Sequence, residues 1–137
     1  MAGKRILLVD DDPDIRDVMT IVLESAGYDV SSASNGQECL DRLRQEKPDL
    51  LILDLLMPRI DGFAVYKELQ SPGWSSHKDM PVLIVTSVRE EASRRRYELE
   101  TGQTLNISSY IEKPITPESL IETVGKLIKR KEGNNND

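Results

Sequence analysis

Six groups able to do chemistry sit directly behind strand-like runs. Asp10 and Asp11 follow Ile6-Leu7-Leu8-Val9, Asp54 follows "LLIL" at 50–53, Thr86 and then Ser87 follow "VLIV" at 82–85, and Lys113 follows "ISSYIE" at 107–112. Runs of that length fit buried strands. In parallel α/β sheets, ligands bind outside the carboxyl ends of the strands, so these side chains are expected to meet on one rim. Three carboxylates gathered there would repel one another and resist ionisation unless a cation lay among them. An all-oxygen set without His or Cys favours Mg²⁺, which takes a few carboxylates, keeps waters and bridges to phosphate oxygens.

The elements that must position these groups follow from periodicity. "KRILLVD" (4–10), "DLLILDLL" (49–56) and "PVLIVTS" (81–87) read as strands covered on both faces, "YDVSS" (28–32) as an edge strand, and "ISSYIE" (107–112) as a fifth strand. Between them, Ile15, Val18, Met19, Val22, Leu23 and Ala26 recur at helical spacing, with Asp12 as N-cap, Pro13 at the first helical position and Gly27 as the stop. Asp12 and Asp14 are thus a cap and a first-turn dipole partner, outside the metal set. Residues 35–48 predict a second helix ended by Pro48, and 61–70 a short third. Residues 116–131 predict a last helix capped by Thr116, with Leu120, Ile121, Val124, Leu127 and Ile128 on one face. Alternation of this kind implies a parallel sheet with right-handed crossovers and helices on both faces.

Composition narrows the function. A chain of 137 residues, 38% hydrophobic and 31% charged, fits one domain, and its net charge of −6 argues against direct nucleic-acid binding. The single Cys39 excludes an internal disulfide and reads as a small buried hydrophobe. With no apolar stretch of signal-peptide or membrane length, the expectation is a cytoplasmic protein with no membrane partner. His77 reads as an exposed loop residue in "SPGWSSHKDMP", Trp74 as packing over the sheet edge, and Arg94-Arg95-Arg96 as a solvated helix face.

Four motifs in order, "LLVDDD", "LILDLLMPRIDG", "VLIVTS" and "YIEKP", across residues 4 to about 131, resemble the response-regulator receiver domain of two-component signalling. The resemblance implies a flavodoxin-like (βα)5 fold with strand order 2-1-3-4-5, a receiver domain over 1–131, and a disordered tail or linker start at 132–137. It implies that Asp54 accepts a phosphoryl group from a phosphohistidine on a partner histidine kinase or phosphotransfer protein. Asp11, the Asp54 carboxylate and the backbone carbonyl of Leu56 look like Mg²⁺ ligands, with Asp10 acting through water. Lys113 looks like the ion-pair partner of Asp54 and then of the phosphoryl group. Thr86 looks like the switch hydroxyl, and Tyr110 like the aromatic that changes rotamer with it. The surface of the fourth helix, fifth strand and fifth helix would then change affinity for a downstream protein, and two copies can pair through the same surface.

The chain departs from the family pattern between Thr86 and Lys113, which is several residues longer than usual and has Asn106-Ile107 in place of Gly-Ala, so the fourth helix is unplaced. Leu56 and Val88 flank the phosphoacceptor with apolar side chains that cannot hold a hydrolytic water, which predicts slow loss of the phosphoryl group. The alternatives are an Mg²⁺-dependent phosphatase with an aspartyl nucleophile and a phosphorylation-independent scaffold. The first wants a carboxylate two residues after the nucleophile, where this chain has Leu56; the second is disfavoured by the intact set of Asp11, Asp54, Thr86 and Lys113.

Overall fold

The structure, a computed structural model, describes residues 3–54, 62–86, 109–112 and 115–135. The strands are β1 (Arg5–Val9), β2 (Asp29–Ala33), β3 (Leu50–Asp54), β4 (Val82–Thr86) and β5 (Ser109–Glu112). All are parallel, in the order β2-β1-β3-β4-β5. The described helices are α1 (Pro13–Ser25), α2 (Gly36–Gln45), α3 (Gly62–Leu69) and a C-terminal helix, Pro117–Asn135, with a 3-10 turn over Pro72–His77. The expected fourth helix falls outside the described residues.

Strand alternation divides the core into two layers. Ile6, Leu8, Leu50, Ile52, Leu83 and Val85 face α1 and the C-terminal helix, through Met19, Leu23, Leu120, Val124 and Leu127. Leu7, Val9, Leu51, Leu53, Val82 and Ile84 face α2 and α3, through Leu40, Leu43, Phe63, Val65 and Tyr66. Because β1, β3 and β4 are covered on both faces, their sequences run apolar without alternation.

The first helix ends as the sequence predicts. Gly27 adopts φ +94°, its N–H donates to the Glu24 carbonyl, and the Tyr28 N–H reaches back to the Leu23 carbonyl at 3.2 Å, a Schellman pair that satisfies the last carbonyls. Three expectations shift, the first being Ile121, expected on the apolar face of the last helix but 36% exposed. Val18 is 60% exposed and Ala26 is also exposed, so the buried stripe of α1 is narrower than its apolar pattern. The C-terminal helix continues to Asn135, past the boundary drawn at 131. Lys129-Arg130-Lys131-Glu132 are good helix formers, and one Gly at 133 costs only about 1 kcal/mol, too little to stop a helix.

Candidate functional site

Register builds the acidic rim. Val9 lies opposite Leu53, so Asp10 and Asp54 emerge side by side at the ends of β1 and β3. Asp54 in turn pairs with Val85, which puts Thr86 at the next position on the neighbouring strand, opposite Glu112 of β5. Tyr110 pairs with Ile84 in the same ladder. Lys113 follows Glu112 directly in the chain; Lys113, Leu56 and Val88 lie outside the described residues.

The turn after β1 is held by its own acids. The Asp10 N–H continues the ladder to the Ala33 carbonyl at 3.2 Å. The Asp10 carboxylate accepts from the Asp12 N–H at 2.9 Å, and Asp12, as N-cap of α1, accepts from the Asp14 N–H at 2.9 Å. Asp12 and Asp14 are therefore spent on the helix start, as the sequence indicates. Asp10, Asp11 and Asp54 remain as a group in which one carboxylate oxygen from each lies within 4.8 Å of the other two. Asp10 is 1% exposed and Asp54 2%, while Asp11 is open to solvent. Two buried carboxylates and one exposed, with oxygen donors throughout, suit a hard divalent cation that keeps part of its water shell. The donor set fits Mg²⁺, and Asp10, Asp11 and Asp54 are the described residues that would hold it.

Two neighbours of this rim carry no signal in the apolar periodicity. Arg16, on the first turn of α1, donates from Nη1 to the Asp10 main-chain carbonyl at 2.8 Å. Glu38, in the first turn of α2, accepts from the Ser34 hydroxyl at 2.8 Å and the Ser34 N–H at 3.2 Å. Those two bonds, hydroxyl first, hold the Glu38 carboxyl below its ordinary value, with smaller help from the Arg42 and Arg16 charges. A polar residue on a helix reads as solvated face until its partner is seen.

The remaining singled-out residues are structural. Cys39 is buried, and burial pushes its thiol up to about 12. Trp74 is buried, with its indole N–H on the Glu68 carboxylate at 3.1 Å and the Arg44 guanidinium 5.2 Å over its ring. His77 is half-buried rather than exposed, within 3.3 Å of the Glu46 carbonyl, because the segment expected as a loop coils into the 3-10 turn against α2.

The fold and the rim define a flavodoxin-like α/β domain with an acidic cluster at the carboxyl ends of its strands. The family model described as the response regulator receiver domain matches residues 6–125, and the chain belongs to that family, the receivers of two-component signalling. Among curated proteins, it is 34% identical over 139 residues to the probable transcriptional regulator ycf27 of Porphyridium aerugineum, covering 99% of this chain and 54% of that protein. It is 37% identical over 126 residues to the response regulator MprA of Mycobacterium avium, covering 92% and 51%. The chain thus spans about half the length of these relatives. Among solved structures, the chemotaxis protein CheY4 of Vibrio cholerae superposes with a TM-score of 0.75 at 28% identity, covering 92% of this chain and 99% of that one. The receiver domain of a signal transduction histidine kinase from Syntrophus aciditrophicus gives 0.79 at 29%, covering 93% and 91%.

Proposed function

We propose that this receiver domain is a phospho-accepting switch in which Asp54 takes a phosphoryl group from a phosphohistidine on a histidine kinase or phosphotransfer protein. The observation that carries this reading is the gathering of Asp10, Asp11 and Asp54 within 4.8 Å at the carboxyl ends of adjacent strands. A carboxylate oxygen of Asp54 forms the new P–O bond as the donor's N–P bond breaks, and the electron pair of that bond stays on the imidazole, which then takes a proton. Asp11, Asp54 and the Leu56 carbonyl, with Asp10 behind them, would hold Mg²⁺, which when bound would supply charge neutralisation for the phosphoryl oxygens. Asp10 and Asp11 present that charge at a fixed place because their turn is tied into both the ladder and the helix cap. Lys113 pairs with the Asp54 carboxylate before transfer and with the phosphoryl group after it. Thr86 follows the phosphoryl oxygen, Tyr110 moves with it, and the surface of β5 and the helices flanking it changes affinity for a downstream protein.

An apolar face beside the rim supports a protein as the donor. Val18 and Ile21 are 60% and 67% exposed on α1, and an apolar groove of about 350 Å³ between α1 and the start of the C-terminal helix is lined by Ile15, Val18, Met19, Val22, Ile115 and Leu120. Because α1 begins two residues after Asp11, a protein donor seated there brings its histidine to the rim. The test is incubation with acetyl phosphate, read on a phosphate-affinity gel. Wild type should shift to a single phosphorylated band with Mg²⁺ and not with EDTA, and Asp54→Asn should not shift. An undiminished Asp54→Asn band, or a shift that ignores EDTA, contradicts the proposal.

A further inference from the structure

We infer that Arg16 is the positioning residue of the acidic rim, acting through the shape of the turn after β1 rather than through its charge. This rests on the proposed Mg²⁺ site and concerns how the site is kept ready.

Asp10 is the first residue past β1, almost wholly buried, and a main-chain carbonyl there needs a partner. Arg16 supplies it at 2.8 Å, a charge-assisted bond stronger than a neutral one. The same residue's N–H donates to the Asp12 carbonyl at 3.0 Å. That second bond opens the main-chain ladder of α1 and any side chain keeps it, so the guanidinium itself holds the turn at Asp10, just before the exposed Asp11.

The turn needs such a grip because its cargo is self-repelling. Beside the buried Asp10 and Asp54 carboxylates, the exposed Asp11 gains by moving away, and a loose turn would let it swing out. A cation would then have to regather them, and that ordering would be subtracted from its affinity. A braced turn has already met this cost in the folded protein. The charge of Arg16 acts in the opposite direction, since a guanidinium beside the rim repels a divalent cation. Glu38, which senses the Arg16 charge from the start of α2, offsets part of that repulsion. The two roles thus predict opposite signs when the side chain is removed.

The experiment is an NMR titration with Mg²⁺ of the full chain as wild type, Arg16→Met and Arg16→Lys, with backbone amide relaxation measured on each metal-free protein. Positioning predicts that Arg16→Met binds Mg²⁺ about tenfold more weakly, the scale of lost support behind metal ligands, while Arg16→Lys, which keeps a donor, stays within about threefold of wild type. It also predicts more mobile Asp11 and Asp12 amides in metal-free Arg16→Met and not in Arg16→Lys. Equal or tighter Mg²⁺ binding by Arg16→Met overturns the inference, as does equal weakening of both variants with no change at those amides. If wild type itself binds no Mg²⁺, the proposed function falls instead, and the metal-free relaxation still decides whether Arg16 holds the turn.

Discussion

Asp10 serves three elements at once: its N–H continues the sheet, its carboxylate caps the Asp12 N–H, and its carbonyl takes the Arg16 guanidinium. Residues of this kind are hard to replace singly. Glu38 is a simpler case, with a pH signature of known sign. Its carboxyl is held below its ordinary value in the folded protein, chiefly by the Ser34 hydroxyl, so its contribution is present above the unfolded-state value and is lost as the pH falls through the folded one. Glu38→Gln should melt below wild type at pH 7, and the gap should close in acid; a gap that persists at low pH would assign the effect to packing. Cys39, fully buried with a thiol raised to about 12, should ignore a disulfide-exchange reagent at pH 8 in the native protein and react with one equivalent after unfolding. Native labelling at the denatured rate would mean that α2 opens freely.

At the scale of the element, both ends of α1 can be tested. Asp12→Ala removes the bond to the Asp14 N–H and should cost about 1 kcal/mol in denaturant unfolding. Gly27→Ala meets nothing within 4 Å where its methyl would sit, so any loss comes from φ +94° alone and should be roughly 1–2 kcal/mol; a neutral result would show that the turn relaxes. These signals were legible because caps and stops are local chemistry: Asp-Pro opens α1 and Gly closes it. The strands were legible for a related reason, since four-residue runs such as Ile6 to Val9 have only one use in a sheet covered on both faces. The width of α1's buried stripe was not legible, because it depends on where the C-terminal helix lies, and that helix leaves Val18 on the lip of an open groove. Nor was the 3-10 turn at Pro72–His77, which is too short for a periodic signal and is held by Trp74 reaching Glu68 and Arg44. The rim's three carboxylates could be read from strand ends; Arg16 could not, because a helix-surface arginine has no pattern to betray a buried carbonyl partner.

Across the whole molecule, the sheet separates reporting from reaction. Trp74 packs beside Arg44, near the end of α2 that leads into the start of β3, so it lies toward the edge opposite the acidic rim. Its fluorescence should follow unfolding and stay almost unchanged on adding Mg²⁺. If Asp54 is phosphorylated as proposed, the apolar Leu56 and Val88 should set the lifetime: Leu56→Asn with Val88→Glu, which adds an amide and a carboxylate able to hold a water, should shorten it ten- to a hundredfold, roughly 1 to 3 kcal/mol of barrier. Equal decay in the two proteins would remove the apolar flank as the cause of slow loss. The central claim, that Asp54 is the acceptor, is tested most directly by trapping. Borohydride converts an aspartyl phosphate to homoserine, so wild type treated with acetyl phosphate and Mg²⁺, reduced and digested, should show homoserine at position 54 by peptide mass spectrometry and nowhere else. Homoserine at Asp10 or Asp11, or an unmodified Asp54 in protein that has demonstrably taken up phosphate, would contradict it.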